Sequence, residues 1–165
     1  MIHRIVLLLS CVCCSSTVFA TWSVSEGDDA GSVVTAYSEN SGRQRTEIFL
    51  DDRNSVYLRL QLGAGFETLA RSSCPTFQID NRVPLHHYEA GTQCTIEAKA
   101  ATITLGRISD KAIHSLVLHR FMNGNNVTFR YTIENGQYRQ AEFSLRNSKQ
   151  ALKRAIGADT QITVD

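Results

Sequence analysis

Residues 55–62 alternate without a break: Val56, Leu58, Leu60 and Leu62 fall on one side, Tyr57, Arg59 and Gln61 on the other. A period of two marks a half-buried antiparallel strand. Residues 46–50 form a second short strand, and Asp51-Asp52-Arg53-Asn54 between them is a turn, so 46–62 predicts a hairpin with a four-residue loop. The same period returns at 127–133, where Val127, Phe129, Tyr131 and Ile133 share a face. Glu134-Asn135-Gly136 then supplies a hairpin turn, and 138–145 runs back.

The rest of the chain is patterned more weakly. Short strands are expected at 22–24, 32–37, 74–79, 83–88, 92–98, 101–108 and 160–164, with a strand to about 114. Polar clusters at 26–31 and 38–42 separate the first of them. Two stretches break the period of two. Residues 116–122 fit a short helix with Ser115 as N-cap and Asn123-Gly124 as its stop. In 147–156, Ala151, Leu152, Ala155 and Ile156 form an apolar stripe, Asn147 or Ser148 caps, and Gly157 ends the helix. Strands at this spacing with one or two short helices predict a mainly β chain: an antiparallel β-sandwich or barrel-like domain, its clearest helix near 148–156.

The first 20 residues change the picture of where this domain works. His3 and Arg4 precede the apolar run 5–9, and Val18-Phe19-Ala20 is a small-residue cleavage site. Residues 1–20 therefore read as a signal peptide with cleavage before Thr21, leaving 21–165 as a single β-rich domain in the periplasm or outside the cell. The apolar run is too short to span a bilayer, and no later segment is a transmembrane candidate. Leu8-Leu9-Ser10-Cys11 also has the shape of a lipobox, so lipidation of Cys11 is the alternative.

Export decides how the cysteines are read. Three of the five lie in the leader, leaving Cys74 and Cys94. In an oxidising compartment a lone pair forms a disulfide. Neither a redox Cys-x-x-Cys nor a zinc spacing is present.

Charge is unevenly placed. Residues 21–98 carry six Arg and eleven Asp/Glu; residues 99–154 carry ten Lys/Arg and three acids. Such a split could build faces of opposite sign. The preferred reading is that the two segments interleave as neighbouring strands. The basic positions Arg146, Lys149, Lys153 and Arg154 lack the strongly apolar opposite face of a membrane-surface helix and read as a solvated face.

Local motifs for chemistry are few. Adjacent His86 and His87 point to opposite faces of a strand and cannot share a metal. His114 and His119 are five apart, about 140° around a helix. No Gly-x-Ser-x-Gly is present. Gly63-Ala64-Gly65-Phe66-Glu67-Thr68 begins like a nucleotide loop but lacks the third glycine. Asp51-Asp52 sits in a turn with nothing to set it across a cleft. No catalytic residue, metal, cofactor or nucleic-acid partner is expected. The region to watch is 80–93, which a disulfide would tie to a scaffold. Its Asp80, Arg82, His86, His87 and Tyr88 are the candidate partner or ligand surface.

Three segments carry a likeness to a known family. Trp22-Ser23-Val24 follows the leader closely. Phe121-Met122-Asn123-Gly124-Asn125-Asn126-Val127-Thr128-Phe129 reads as a short helix, glycine turn and strand. Phe143-Ser144-Leu145-Arg146-Asn147-Ser148-Lys149-Gln150-Ala151-Leu152 matches a closing Ser-Leu-x-Gly-x-x-x-Ala-Leu stretch with asparagine in place of glycine. In these the chain resembles the invasion-associated locus B family of exported bacterial proteins. It departs from the family at Asn147, and in lacking a cysteine between Trp22 and Cys74. The resemblance implies an exported β-sandwich-like protein and transfers no catalytic residue. The function expected is that of an exported non-enzymatic envelope or interaction protein of no specified role, with another envelope protein as the candidate partner. The alternative is a small-ligand-binding or hydrolytic protein that uses the 80–93 loop.

Overall fold

The structure, a computed structural model, describes residues 21–25, 33–86 and 93–164. The leader and the lipobox reading lie outside them, as do His87 and Tyr88. The chain runs β1 (Ser23–Ser25), β2 (Thr35–Glu39), β3 (Arg45–Leu50), β4 (Ser55–Gln61), β5 (Thr76–Ile79), β6 (Cys94–Ile96), β7 (Ala100–Arg107) and β8 (Ala112–His114). Then follow α1 (Leu116–Asn123), β9 (Asn126–Thr132), β10 (Tyr138–Ser144), α2 (Ser148–Ile156) and β11 (Gln161–Thr163).

The strands form a six-stranded sheet in the order β1-β2-β3-β4-β7-β6, a three-stranded sheet β10-β9-β5 and a two-stranded pair β11-β8. The two larger sheets are antiparallel throughout. Both remain open, so the architecture is sandwich-like and no barrel closes. The alternation explains the layering. Val56, Leu58 and Leu60 of β4 point inward to the same core as Val127, Phe129 and Tyr131 of β9. Phe129 sits between Phe77 and Phe143, with ring centroids 6.0 and 5.8 Å away. The acidic and basic segments interleave: β7 lies between β4 and β6, and β9 beside β5.

Both helices form where the apolar spacing changes. Ser115 caps α1 and accepts a hydrogen bond from Leu118 N. Ala151, Leu152, Ala155 and Ile156 are the buried stripe of α2, which packs on β1, β2 and β3. Its start differs from the expectation. Asn147 adopts a left-handed conformation and makes no side-chain cap. Ser148 is buried, and its hydroxyl donates to Phe121 O of α1 at 2.7 Å. The serine is therefore spent on holding two helices together.

Two further expectations need correction. Residues 83–86 form no strand. Leu85 alone pairs with Phe77, and Val83 is 79% exposed. Pro84 has no N–H to extend the ladder. The expected 160–164 strand is present as β11 and lies parallel to β8. The β9–β10 turn is wider than a two-residue Asn-Gly turn. Ile133 N bonds Gln137 O at 3.0 Å and Gly136 N bonds Ile133 O at 2.8 Å. Only Gly136 takes a positive φ, 82°. This is the three-residue hairpin loop whose last position requires glycine.

The β3–β4 loop is held by Asp51. Its carboxylate accepts from Ser55 N at 2.7 Å, Arg53 N at 3.0 Å and the Tyr57 hydroxyl at 3.1 Å. Removal of water pushes its pKa upward, but the bonds from Ser55, Tyr57 and Arg53, with the Arg53 charge, leave it below the usual 3.8. A depressed carboxyl stabilises the fold above its unfolded pKa and loses that contribution as pH falls through the folded value. Acidification is therefore expected to loosen this loop only below 3.8. An NMR titration checks it: the Asp51 carboxyl and the Ser55 and Arg53 amides should share one midpoint under that value, and a midpoint above it would refute the assignment.

Candidate functional site

The 80–86 segment leaves the end of β5 by a turn at Asp80, where φ is 53°. Asp80 Oδ1 accepts from Asn125 N at 2.9 Å and Asn126 N at 3.0 Å, and Asp80 N donates to Asn126 O. Its carboxylate thus latches the α1–β9 connection to β5. Arg82 follows on the exposed tip beside Val83. His86 is half-buried and returns along the edge of β5. Among its described members the expected group is therefore divided: Asp80 is structural, Arg82 faces solvent, and His86 turns into a concavity.

That concavity, about 450 Å³, lies on the outer face of the three-stranded sheet. His86, Thr76, Arg130 and Tyr138 line it together with Ser72 and Ser73. The register explains the grouping. Thr76 stands opposite Arg130, and Tyr138 opposite Thr132. Inward residues of β9 alternate with these outward ones. Arg130 donates to Gln78 Oε1 at 2.9 Å. The disulfide forms the groove's end. Cys74 bonds Cys94, with Cα atoms 6.5 Å apart, and so joins the segment before β5 to β6 of the larger sheet.

A second feature is the 63–68 loop. It is closed at its base by Leu62 N to Lys99 O and Leu69 N to Ala98 O. Lys99 Nζ donates to the carbonyls of Gly65 and Glu67. The loop thus aims carbonyls at a cation, the opposite polarity to a phosphate cradle. Glu67 pairs with Arg139 at 3.0 Å, and Thr68 Oγ1 donates to Glu134 at 3.0 Å. Gly63 is needed by close approach: a Cβ there would stand 2.8 Å from Arg43 O and 2.9 Å from Gly42 O. At the tip of this pinned loop Phe66 is fully exposed. Behind it lies a concavity of about 440 Å³ that includes Ile133 and Glu134. The nearby Tyr131 phenol is held above its ordinary pKa by burial and then by the Glu67 charge, so it stays protonated, and Gln44 Nε2 donates to it at 2.7 Å.

Arg130, Tyr138 and Phe66 were not singled out from the sequence. The signal for Arg130 was available in the polar phase of the β9 alternation, but nothing local said that His86 would lie across β5 from it. Among the described residues, His114 and His119 sit on separate elements, β8 and α1. No group of three or more His, Cys, Asp or Glu among those residues could hold a metal ion, and no helix there is long and apolar enough to cross a membrane. Lys149, Lys153 and Arg154 lie on the exposed face of α2.

No family model matches the chain, and no curated protein matches it. A solved structure does. The chain shares the fold of invasion associated protein B from Bartonella henselae. The TM-score is 0.54 at 14% identity, over 87% of this chain and 96% of that one. The three segments that carry the resemblance in sequence meet in space. Trp22 is buried, its ring 6.1 Å edge-on to Phe121. Trp22 Nε1 donates to Ser144 O at 2.9 Å, and Ser148 ties to Phe121. These positions hold β1, α1, β10 and α2 together, which is a packing role. The departure at Asn147 also has a reason. Its φ of 64° is a position that favours glycine, and asparagine is among the few other residues that adopt it readily.

Proposed function

We propose that the protein is an exported, non-catalytic envelope protein that works by binding another envelope protein. The observation that carries this reading is Phe66: a fully exposed aromatic ring on a loop held rigid by Lys99 and by the Glu67–Arg139 pair. A large apolar side chain presented on a fixed backbone is the usual form of an interface anchor, because little conformational freedom is lost on binding. The Cys74–Cys94 bond supports an oxidising compartment. The leader-like segment 1–20 supports export. The hydrolytic alternative gains nothing from Asp80, whose Oδ1 is engaged by the Asn125 and Asn126 amides in a latching role.

The test is photo-crosslinking in the native envelope. A photoreactive phenylalanine analogue at Phe66 is expected to give one discrete protein adduct, and the same group at Lys149 none. Adducts at neither position, or equal adducts at both, would defeat the reading.

A further inference from the structure

We propose that the groove on the outer face of the three-stranded sheet binds an acidic saccharide, with the sugar carboxylate on Arg130 and the ring against Tyr138. This goes beyond the protein-binding reading and does not depend on Phe66.

The sheet register builds the site from four separate stretches of chain. Gln140, Arg130 and Thr76 stand in one cross-strand row. The Leu85–Phe77 bridge extends that row to His86. Ser72 and Ser73 close one end, held by the disulfide at Cys74. Tyr138 stands on the rim, 82% exposed.

The chemistry of this lining is selective. No carboxylate is among the described residues that line it, while Arg130 brings a permanent positive charge. Gln78 holds one guanidinium N–H and so orients the plane. The remaining donors match the two oxygens of a carboxylate, a pairing that the planar fork makes both strong and directional. A phosphodiester chain would call for a run of cations, and the described lining of the groove has one guanidinium and no lysine. The hydroxyls of Ser72, Ser73, Thr76 and Thr132 each donate and accept, as sugar hydroxyls do. An exposed phenol ring at the edge of such a lining suits the C–H face of a pyranose: its negative π face meets weakly positive hydrogens. The volume, about 450 Å³, lies in the range of small-ligand sites.

The experiment is an NMR titration of the folded, oxidised protein with galacturonic acid, with glucose and with acetate, each at about 10 mM, enough to saturate a site of about 1 mM affinity. Galacturonic acid is expected to move the amide resonances of Thr76, Arg130 and Thr132. Glucose should leave them in place, and acetate should move them far less. Arg130→Gln and Tyr138→Ala are each expected to weaken binding by about tenfold, the loss of one charge-assisted pair or one ring contact. Both residues are exposed, so the variants should keep the wild-type spectrum elsewhere, and that spectrum is itself the control for folding. A polymeric arm, galacturonate oligomers, distinguishes a wall or capsule chain from a free sugar by tighter binding on the same residues. No shift with the acid sugar, equal shifts with acetate, or unchanged binding by Arg130→Gln would each overturn the proposal.

Discussion

Phe129→Ala is expected to lower the unfolding free energy by about 3–5 kcal/mol. The ring is fully buried on β9, between Phe77 of β5 and Phe143 of β10. All three strands of the smaller sheet therefore send an aromatic ring to one point of the core. Truncation removes the apolar area of the ring and leaves a cavity that neighbours on three strands cannot fill together. Domains of this size have about 5–15 kcal/mol in total, so the variant approaches the threshold of folding. Urea denaturation followed by fluorescence measures the loss. Phe129→Leu keeps much of the volume and should cost about half as much or less. A loss under about 1 kcal/mol for the alanine variant would mean that the sheets do not close over this ring.

The second large effect is expected at the disulfide. Cys74→Ser should cost about 2–4 kcal/mol. The bond closes a loop with a sequence separation of 20, and the chain-entropy model puts that near 3 kcal/mol. Its placement adds a reason of its own. Cys94 opens β6 at the edge of the six-stranded sheet, while Cys74 leads into β5 of the other. β6 is only three residues long and has one partner strand, β7, so the cross-link is a large part of what holds it. Reducing the wild-type protein should reproduce the Cys74→Ser midpoint, and Cys74→Ser with Cys94→Ser should lose no more than the single variant. Free thiols at these positions in a denatured, unreduced sample would refute the pairing.

Much of the fold was legible because its signals are local. The alternation at Val56, Leu58 and Leu60 needs only the pleat of one strand, and the hairpin around Gly136 needs only a turn that demands a positive φ. The helix at 148–156 follows from the spacing of Ala151, Leu152, Ala155 and Ile156. Pairing of Cys74 with Cys94 followed from there being no other cysteine beyond residues 1–20, the segment that reads as a leader. The candidate site was legible only in part. His86 does face a concavity, but Asp80, grouped with it in the same loop, uses its Oδ1 to hold Asn125 and Asn126.

What the sequence by itself determined is thus the character of each short element: which strands have one wet face, where turns fall, and which helix face is apolar. These depend on a period of two or 3.6 read over a few residues. Only the tertiary structure decided which elements became neighbours. That β11 pairs in parallel with β8, that Trp22 reaches Phe121 and Ser144, and that His86, Arg130 and Tyr138 share a groove all depend on contacts between distant parts of the chain. Such pairings form when the apolar faces of separate strands are buried together, and their register is set by the whole core rather than by any one segment.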